Sequence, residues 1–139
     1  MATHPLERFQ IPLPIRLSAL WAASLCCYIY GDLLSHWLPG AQERLTSGDM
    51  GPLGIVTPGL LAGIAVVMAV PSVMIAASVL LPPVWSRWLN LVLGVIYTLL
   101  MAGTIPAGPL YYKVLGAIEV ALTGTIAWLA WRWPREAAG

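Results

Sequence analysis

Four runs of apolar residues, each long enough to cross a bilayer and each fenced by proline, leave this chain few ways to fold. The first, Ile15 to Leu38, follows Pro12 and Pro14 and stops at Pro39 and Gly40. The second opens on Thr57 and Pro58, an N-cap followed by a proline whose missing N–H is harmless at the first helical position, and runs to Leu81 before Pro82 and Pro83. The third extends from Val84 to Ile105 and the fourth from Leu110 to Trp133, divided by Pro106, Gly108 and Pro109 and closed by Pro134. A segment in lipid must satisfy its own backbone, which leaves helices or a closed barrel, and these unbroken runs lack the alternation of barrel strands. The expected fold is therefore all-α: an integral membrane four-helix bundle running up-down-up-down. Its spans fall at about 15–38, 58–81, 84–105 and 110–133 of a single membrane domain covering residues 1–139.

Composition supports lipid as the surrounding medium. Hydrophobic residues make up 59% of the chain and charged residues 9%, with a mean hydropathy of +0.80, too little polarity to cover a soluble surface. A separate soluble domain is excluded. A net charge of +1 and scattered basic residues give no reason to expect a nucleic-acid partner; membrane lipid is the expected one. Arg8, Arg16, Arg87, Arg132 and Arg135 fall on the side of the two termini and Arg44 and Lys113 on the other, so the positive-inside rule places both termini in the cytoplasm. Trp85, Trp88, Trp131 and Trp133 mark the inner interface, with Trp37, Tyr111 and Tyr112 at the outer one. The start of the chain, with His4, Glu7 and Arg8, has no small-residue cleavage site, so the first helix is expected to be retained. Adjacent Cys26 and Cys27 suit neither a disulfide framework nor a metal motif and read as small packing residues. The stretch from Ala41 to Val56 reads as a solvated loop with one interfacial turn, an outer lid being the alternative.

Against this apolar background two acids stand out. Asp32 and Glu119 lie within spans, where a lone carboxylate at the bilayer centre costs roughly 2.5 to 3.5 kcal/mol, so such residues face a bundle interior, a partner or a wet cavity. Helical spacing puts Ser18, Trp21, Leu25, Tyr28, Asp32, Ser35 and His36 on one face of the first span. Tyr112, Gly116, Glu119, Thr123, Ile126 and Ala130 share a face of the fourth, and Asn90, Gly94, Tyr97, Met101 and Thr104 one of the third. Counting along the helices sets Asp32 about 9 Å and Glu119 about 13 Å below the outer end, similar enough for the two to meet. Two carboxyls that meet in a low-dielectric setting cannot both ionise cheaply and would share a proton. Asp32 and Glu119 are thus the candidate catalytic or ligand-binding acids, with Tyr28, His36, Tyr97 and Asn90 as candidate ligand-binding neighbours. Gly94 leaves space beside Tyr97, Gly59 and Gly63 permit close helix contact, and Pro71 frees the Val67 carbonyl near mid-membrane, where a kink would widen the bundle. With no second histidine or cysteine cluster in the stripe, no metal is expected, and no cofactor either. Phosphate loops, nucleophile elbows and zinc-protease motifs do not occur in the sequence.

Tyr28-x-Tyr30-Gly31-Asp32, Pro39-Gly40, Arg87-Trp88-Leu89-Asn90, Gly94-x-x-Tyr97, Glu119-Val120-Ala121-Leu122 and Trp131-x-Trp133-Pro134 together resemble an uncharacterised family of small bacterial four-span membrane proteins. The resemblance covers nearly the whole chain. It implies a multi-pass protein of the bacterial inner (cell) membrane with no assigned activity. A looser similarity to the DoxX-like four-span group rests on an arginine opening the first helix and a Gly-acid pair near its outer end. That group is associated with quinol and thiol redox systems, whereas this chain carries no Cys-x-x-Cys.

Three functions fit these residues. The leading one is a non-enzymatic bundle whose acidic pocket binds or passes a small lipophilic or cationic molecule. The second is a membrane-embedded acid–base enzyme acting on a lipid, terpene or quinone-like substrate. The third is a structural subunit that docks a partner membrane protein or a second copy through its small-residue faces, its acids only securing packing.

Overall fold

The computed structural model describes residues 10–134, so Arg8 and Arg135 of the charge argument, and His4 and Glu7, lie outside the described residues. The chain forms helices α1 (Leu13–Ser35), α2 (Ala41–Ser47), α3 (Pro58–Leu80), α4 (Pro83–Thr104) and α5 (Leu110–Trp131), with single 3-10 turns at Gly51–Leu53 and Ile105–Ala107. Four of them, α1, α3, α4 and α5, are long and apolar enough to cross a membrane. Thr57 caps α3 by accepting from the Leu60 N–H at 3.1 Å, and Pro83 and Pro58 occupy first-turn positions where no donor is lost.

The four long helices form an antiparallel ring. Helix α5 packs along α4 and α1, α1 also packs on α3, and α3 closes the ring on α4 through a smaller contact. At one end, the terminal end, α1 begins and α5 finishes; α2 lies at the other, the loop end.

The two ends differ in how much they bury. In α1 the buried residues are Leu17, Trp21 and Ser24, and in α3 they are Pro71, Met74 and Ser78, all in the terminal half. Helices α4 and α5, by contrast, bury residues along most of their length, from Ser86 to Met101 and from Gly116 to Ala130. The bundle is thus solid at the terminal end and opens toward the loop end, where α1 and α3 bury nothing further. Apart from exposed Thr104 and half-buried Tyr112, the expected stripes on α4 and α5 coincide with the buried faces, whereas the buried face of α1 is turned by one residue, to Leu17 and Ser24 in place of Ser18 and Leu25.

A polar cluster fastens the solid half. Asn90, fully buried, accepts from Trp21 Nε1 at 2.8 Å and donates through Nδ2 to the Ser86 carbonyl at 2.8 Å. Ser78 Oγ lies 3.1 Å from Asn90 Oδ1 and 2.7 Å from the Met74 carbonyl, and Ser86 Oγ donates to the Ser78 carbonyl at 3.0 Å. These bonds tie α1, α3 and α4 where hydrocarbon offers no other partner.

Pro71 cannot donate to the Val67 carbonyl, and the Tyr97 hydroxyl does so instead, crossing from α4 to α3. A fourfold cycle measures this compensation. Tyr97→Phe is expected to cost about 1 kcal/mol with Pro71 present and close to nothing with Pro71→Ala, whose N–H restores the helical bond. Equal losses in the two backgrounds, read from unfolding in mixed micelles, would show that the Tyr97 hydroxyl does not replace the missing donor.

Three expectations are corrected. The space at Gly94 is already filled, since a Cβ there would stand 2.9 Å from the Ala127 backbone nitrogen. Gly59 and Gly63 have nothing within 4 Å of a Cβ position and so mediate no close contact among the described residues. Cys26 is exposed and Cys27 half-buried, so Cys26 is not part of the buried interior.

Candidate functional site

Helix α1 ends at Ser35, three residues before the expected Leu38, because the chain tightens into 3-10 hydrogen bonds from His36, Trp37 and Leu38 to Leu33, Leu34 and Ser35. Pro39 disfavours helical backbone at the residue before it, which helps to explain why the helix cannot run on. The tightening deprives the Asp32 carbonyl of its usual backbone donor. Ser35 Oγ replaces it at 2.6 Å and His36 Nδ1 at 2.8 Å. Donation to a carbonyl requires the proton on Nδ1, so a neutral His36 keeps Nε2 as an acceptor. His36 therefore engages the backbone of Asp32 and not its carboxyl. With the helix shortened, Asp32 lies one turn from its end, nearer the interface than counting to Leu38 suggests.

Glu119 sits deeper, about 13 Å along α5 from Leu110, and is 3% exposed. Its Oε2 is buried without a hydrogen-bond partner among the described residues. Asp32, in contrast, is exposed, and the walls of two cavities account for where its side chain stands.

The inner cavity, about 200 Å³, is bounded by Asp32, Glu119, Tyr28, Tyr111 and Tyr112, with Met68, Met101, Leu115 and the small residues Gly31, Ser35 and Gly116 completing the wall. Two acids and three tyrosines thus line a chamber to which, among the described residues, no Lys, Arg or His contributes. Tyr112 closes the loop-end rim by donating its hydroxyl to Thr104 Oγ1 at 3.0 Å. Gly116 lets Ile105 approach, since a Cβ there would stand 2.6 Å from Ile105 Cγ1. Thr123 Oγ1 donates to the Glu119 carbonyl at 2.8 Å and meets Thr98 Oγ1 at 2.8 Å, fixing this turn of α5 against α4.

The outer cavity, about 730 Å³, lies beneath α2 and the segment after it. Arg44, Asp49, His36 and Asp32 contribute charge or polarity, and Leu61, Ile64 and Met68, spaced three and four apart on α3, supply an apolar wall. The segment expected as a solvated loop with one interfacial turn, or alternatively as an outer lid, forms the short helix α2, stays mostly exposed and lines this cavity. Gly40 and Gly48 take positive φ of 76° and 70° at the two ends of α2, and Val56 N–H returns to the Gly48 carbonyl at 2.8 Å. Asp32, Ser35 and Met68 line both cavities.

Of the six residues singled out in the sequence, Asp32, Glu119 and Tyr28 come to the inner cavity and His36 to the outer one. Asn90 and Tyr97 belong to the packed half, their polar atoms committed to Trp21, Ser86 and Val67. Tyr97 still adjoins the site, its ring meeting that of Tyr28 edge to face at 6.4 Å. Tyr111, expected only as an interfacial anchor, lines the inner cavity, as does Tyr112 from the α5 stripe, and Met68 was not anticipated at all.

Residues 13–139 match the model of a family of unknown function, DUF6326. No curated protein and no solved structure matches the chain.

Proposed function

The chain belongs to that family of unknown function, which hands it no activity, and we propose from its own geometry that it binds small organic cations between Asp32 and Glu119. One observation carries the reading: among the described residues, Glu119 is buried with Oε2 unpartnered, in a chamber lined by a second acid and no base. A buried carboxyl is costly without a partner, and a cationic ligand supplies one. The tyrosine rings of Tyr28, Tyr111 and Tyr112 suit the same guest, because an alkylammonium group is attracted to aromatic faces as well as to carboxylates. The wall is otherwise apolar, which favours a cation with an organic body.

The test compares phenyltrimethylammonium with tert-butylbenzene, which has the same shape and no charge. The protein in detergent is expected to bind the cation at least about tenfold more tightly than the neutral isostere, read from the ligand-induced rise in unfolding temperature. Glu119→Gln is expected to abolish that preference and Asp32→Asn to weaken it. Equal binding of the two probes, or a preference untouched by Glu119→Gln, would end the proposal.

The arginine bias supports a placement with the terminal end in the cytoplasm and the cavities facing outward. Among the described residues it rests on Arg16, Arg87 and Arg132 against Arg44 and Lys113. With the resemblance to bacterial four-span proteins, this makes a bacterial cell membrane the proposed setting. DoxX-like kinship enters only as a proposal about fold. The partner-subunit reading keeps one observation in its favour, the open face of α3 at Gly59 and Gly63.

A further inference from the structure

We infer that the site is loaded and emptied from the loop end alone, with Met68 at the threshold, so that the protein holds its ligand and does not conduct it across the membrane. This rests on the proposed cation site and decides between binding and passing, which the sequence left open.

Two observations meet in the inference. Toward the loop end, the inner and outer cavities share Asp32, Ser35 and Met68 in their walls, so the space beneath α2 and the chamber of Glu119 meet at a boundary that carries an acid. Of the three side chains common to both walls, Met68 is the apolar one. Its unbranched thioether can change rotamer at little cost and so admit a guest without moving a helix.

Toward the terminal end the interior is filled by packed, buried side chains. Tyr97 meets Tyr28 on the cavity side and Trp21 on the other, the latter edge to face at 5.7 Å. Beyond them Leu17, Trp21, Ile126 and Asn90 are fully buried, and Asn90 holds Trp21 in place by its hydrogen bond. A cation moving that way would have to part close-packed side chains and break satisfied hydrogen bonds in a low-dielectric layer. The asymmetry comes from the helices themselves, since α1 and α3 bury residues only in the terminal half.

Sided thiol labelling tests this. In the full-length chain with Cys26→Ser and Cys27→Ser, single cysteines are introduced as Glu119→Cys or, at a neighbouring wall position, Leu115→Cys. Ser47→Cys and Arg132→Cys serve as reporters of the two ends. The protein is reconstituted in vesicles and treated with a membrane-impermeant trimethylammonium thiosulfonate from one side at a time. Cysteine at 119 or 115 is expected to react from the side that labels Ser47→Cys, and at least about tenfold more slowly from the side that labels Arg132→Cys. Adding Met68→Trp is expected to slow the former reaction about tenfold while the rate at Ser47→Cys stays the same. Comparable rates from both sides, faster labelling from the Arg132 side, or indifference to Met68→Trp would overturn the inference. Repeating the labelling with an uncharged but polyhydroxylated, membrane-impermeant thiosulfonate separates the two proposals. Sided access by the neutral reagent upholds the route whether or not the site prefers cations, and loss of sidedness overturns the route even where the phenyltrimethylammonium preference holds.

Discussion

Asn90→Ala is expected to lower the stability of the folded protein by about 3 kcal/mol, read from its unfolding in mixed micelles. The substitution orphans the Trp21 indole N–H, which is fully buried, and removes the donor to the Ser86 carbonyl. It also leaves a void where α1, α3 and α4 converge. Single interhelical hydrogen bonds in membranes average only about 0.6 kcal/mol, because the separated helices find other partners, so a loss of this size requires the bonds to act as a cluster. Trp21→Phe made in the Asn90→Ala background is then expected to cost less than Trp21→Phe alone, since the indole donor no longer has a mate to lose. The cation preference should survive both changes, because neither residue lines the cavity. A loss below about 1 kcal/mol, or strictly additive effects, would show that the cluster does not fasten the bundle.

That role was not legible in the sequence, and the reason is geometric. Periodicity gave the direction in which Asn90 and Tyr97 point, toward the interior, but not the level at which another helix presents a partner. Trp21 proved to be at the level of Asn90, and the Val67 carbonyl at the level of Tyr97. Pro71 did announce a freed carbonyl, because a missing N–H is a local property of the chain, while the hydroxyl that answers it comes from thirty residues away. The same division runs through the site. Glu119 and its stripe were readable because charge and spacing are local; the cavity walls from Met68 and Tyr111 depend on how far α1 and α3 part from α4 and α5. The depth of Asp32 was misjudged because Trp37 and Leu38 prolong the apolar run past Ser35, where hydrogen bonding has already left the α-helical pattern.

Glycines show most sharply how one sequence signal divides into opposite outcomes. Gly94→Ala is expected to destabilise the protein by about 2 kcal/mol, and Gly94→Leu by more, because the added Cβ meets the Ala127 nitrogen at 2.9 Å and its Cα at 3.2 Å. Backbone atoms cannot rotate away, so α4 and α5 must separate along their shared face. Gly63→Ala is expected to change stability by less than about 0.5 kcal/mol or to raise it, since a Cβ there meets nothing within 4 Å and alanine favours the helix. Both glycines lie inside apolar spans, and only the helix set against Gly94 separates them. The α4–α5 seam also positions Gly116 against Ile105 and Thr123 against Thr98, one turn on either side of Glu119. Gly94→Ala should therefore weaken phenyltrimethylammonium binding as well as stability, although Gly94 does not line the cavity, whereas Gly63→Ala should leave binding unchanged. Destabilisation by Gly94→Ala with wild-type cation affinity would mean that the seam holds the fold without setting the position of the acid.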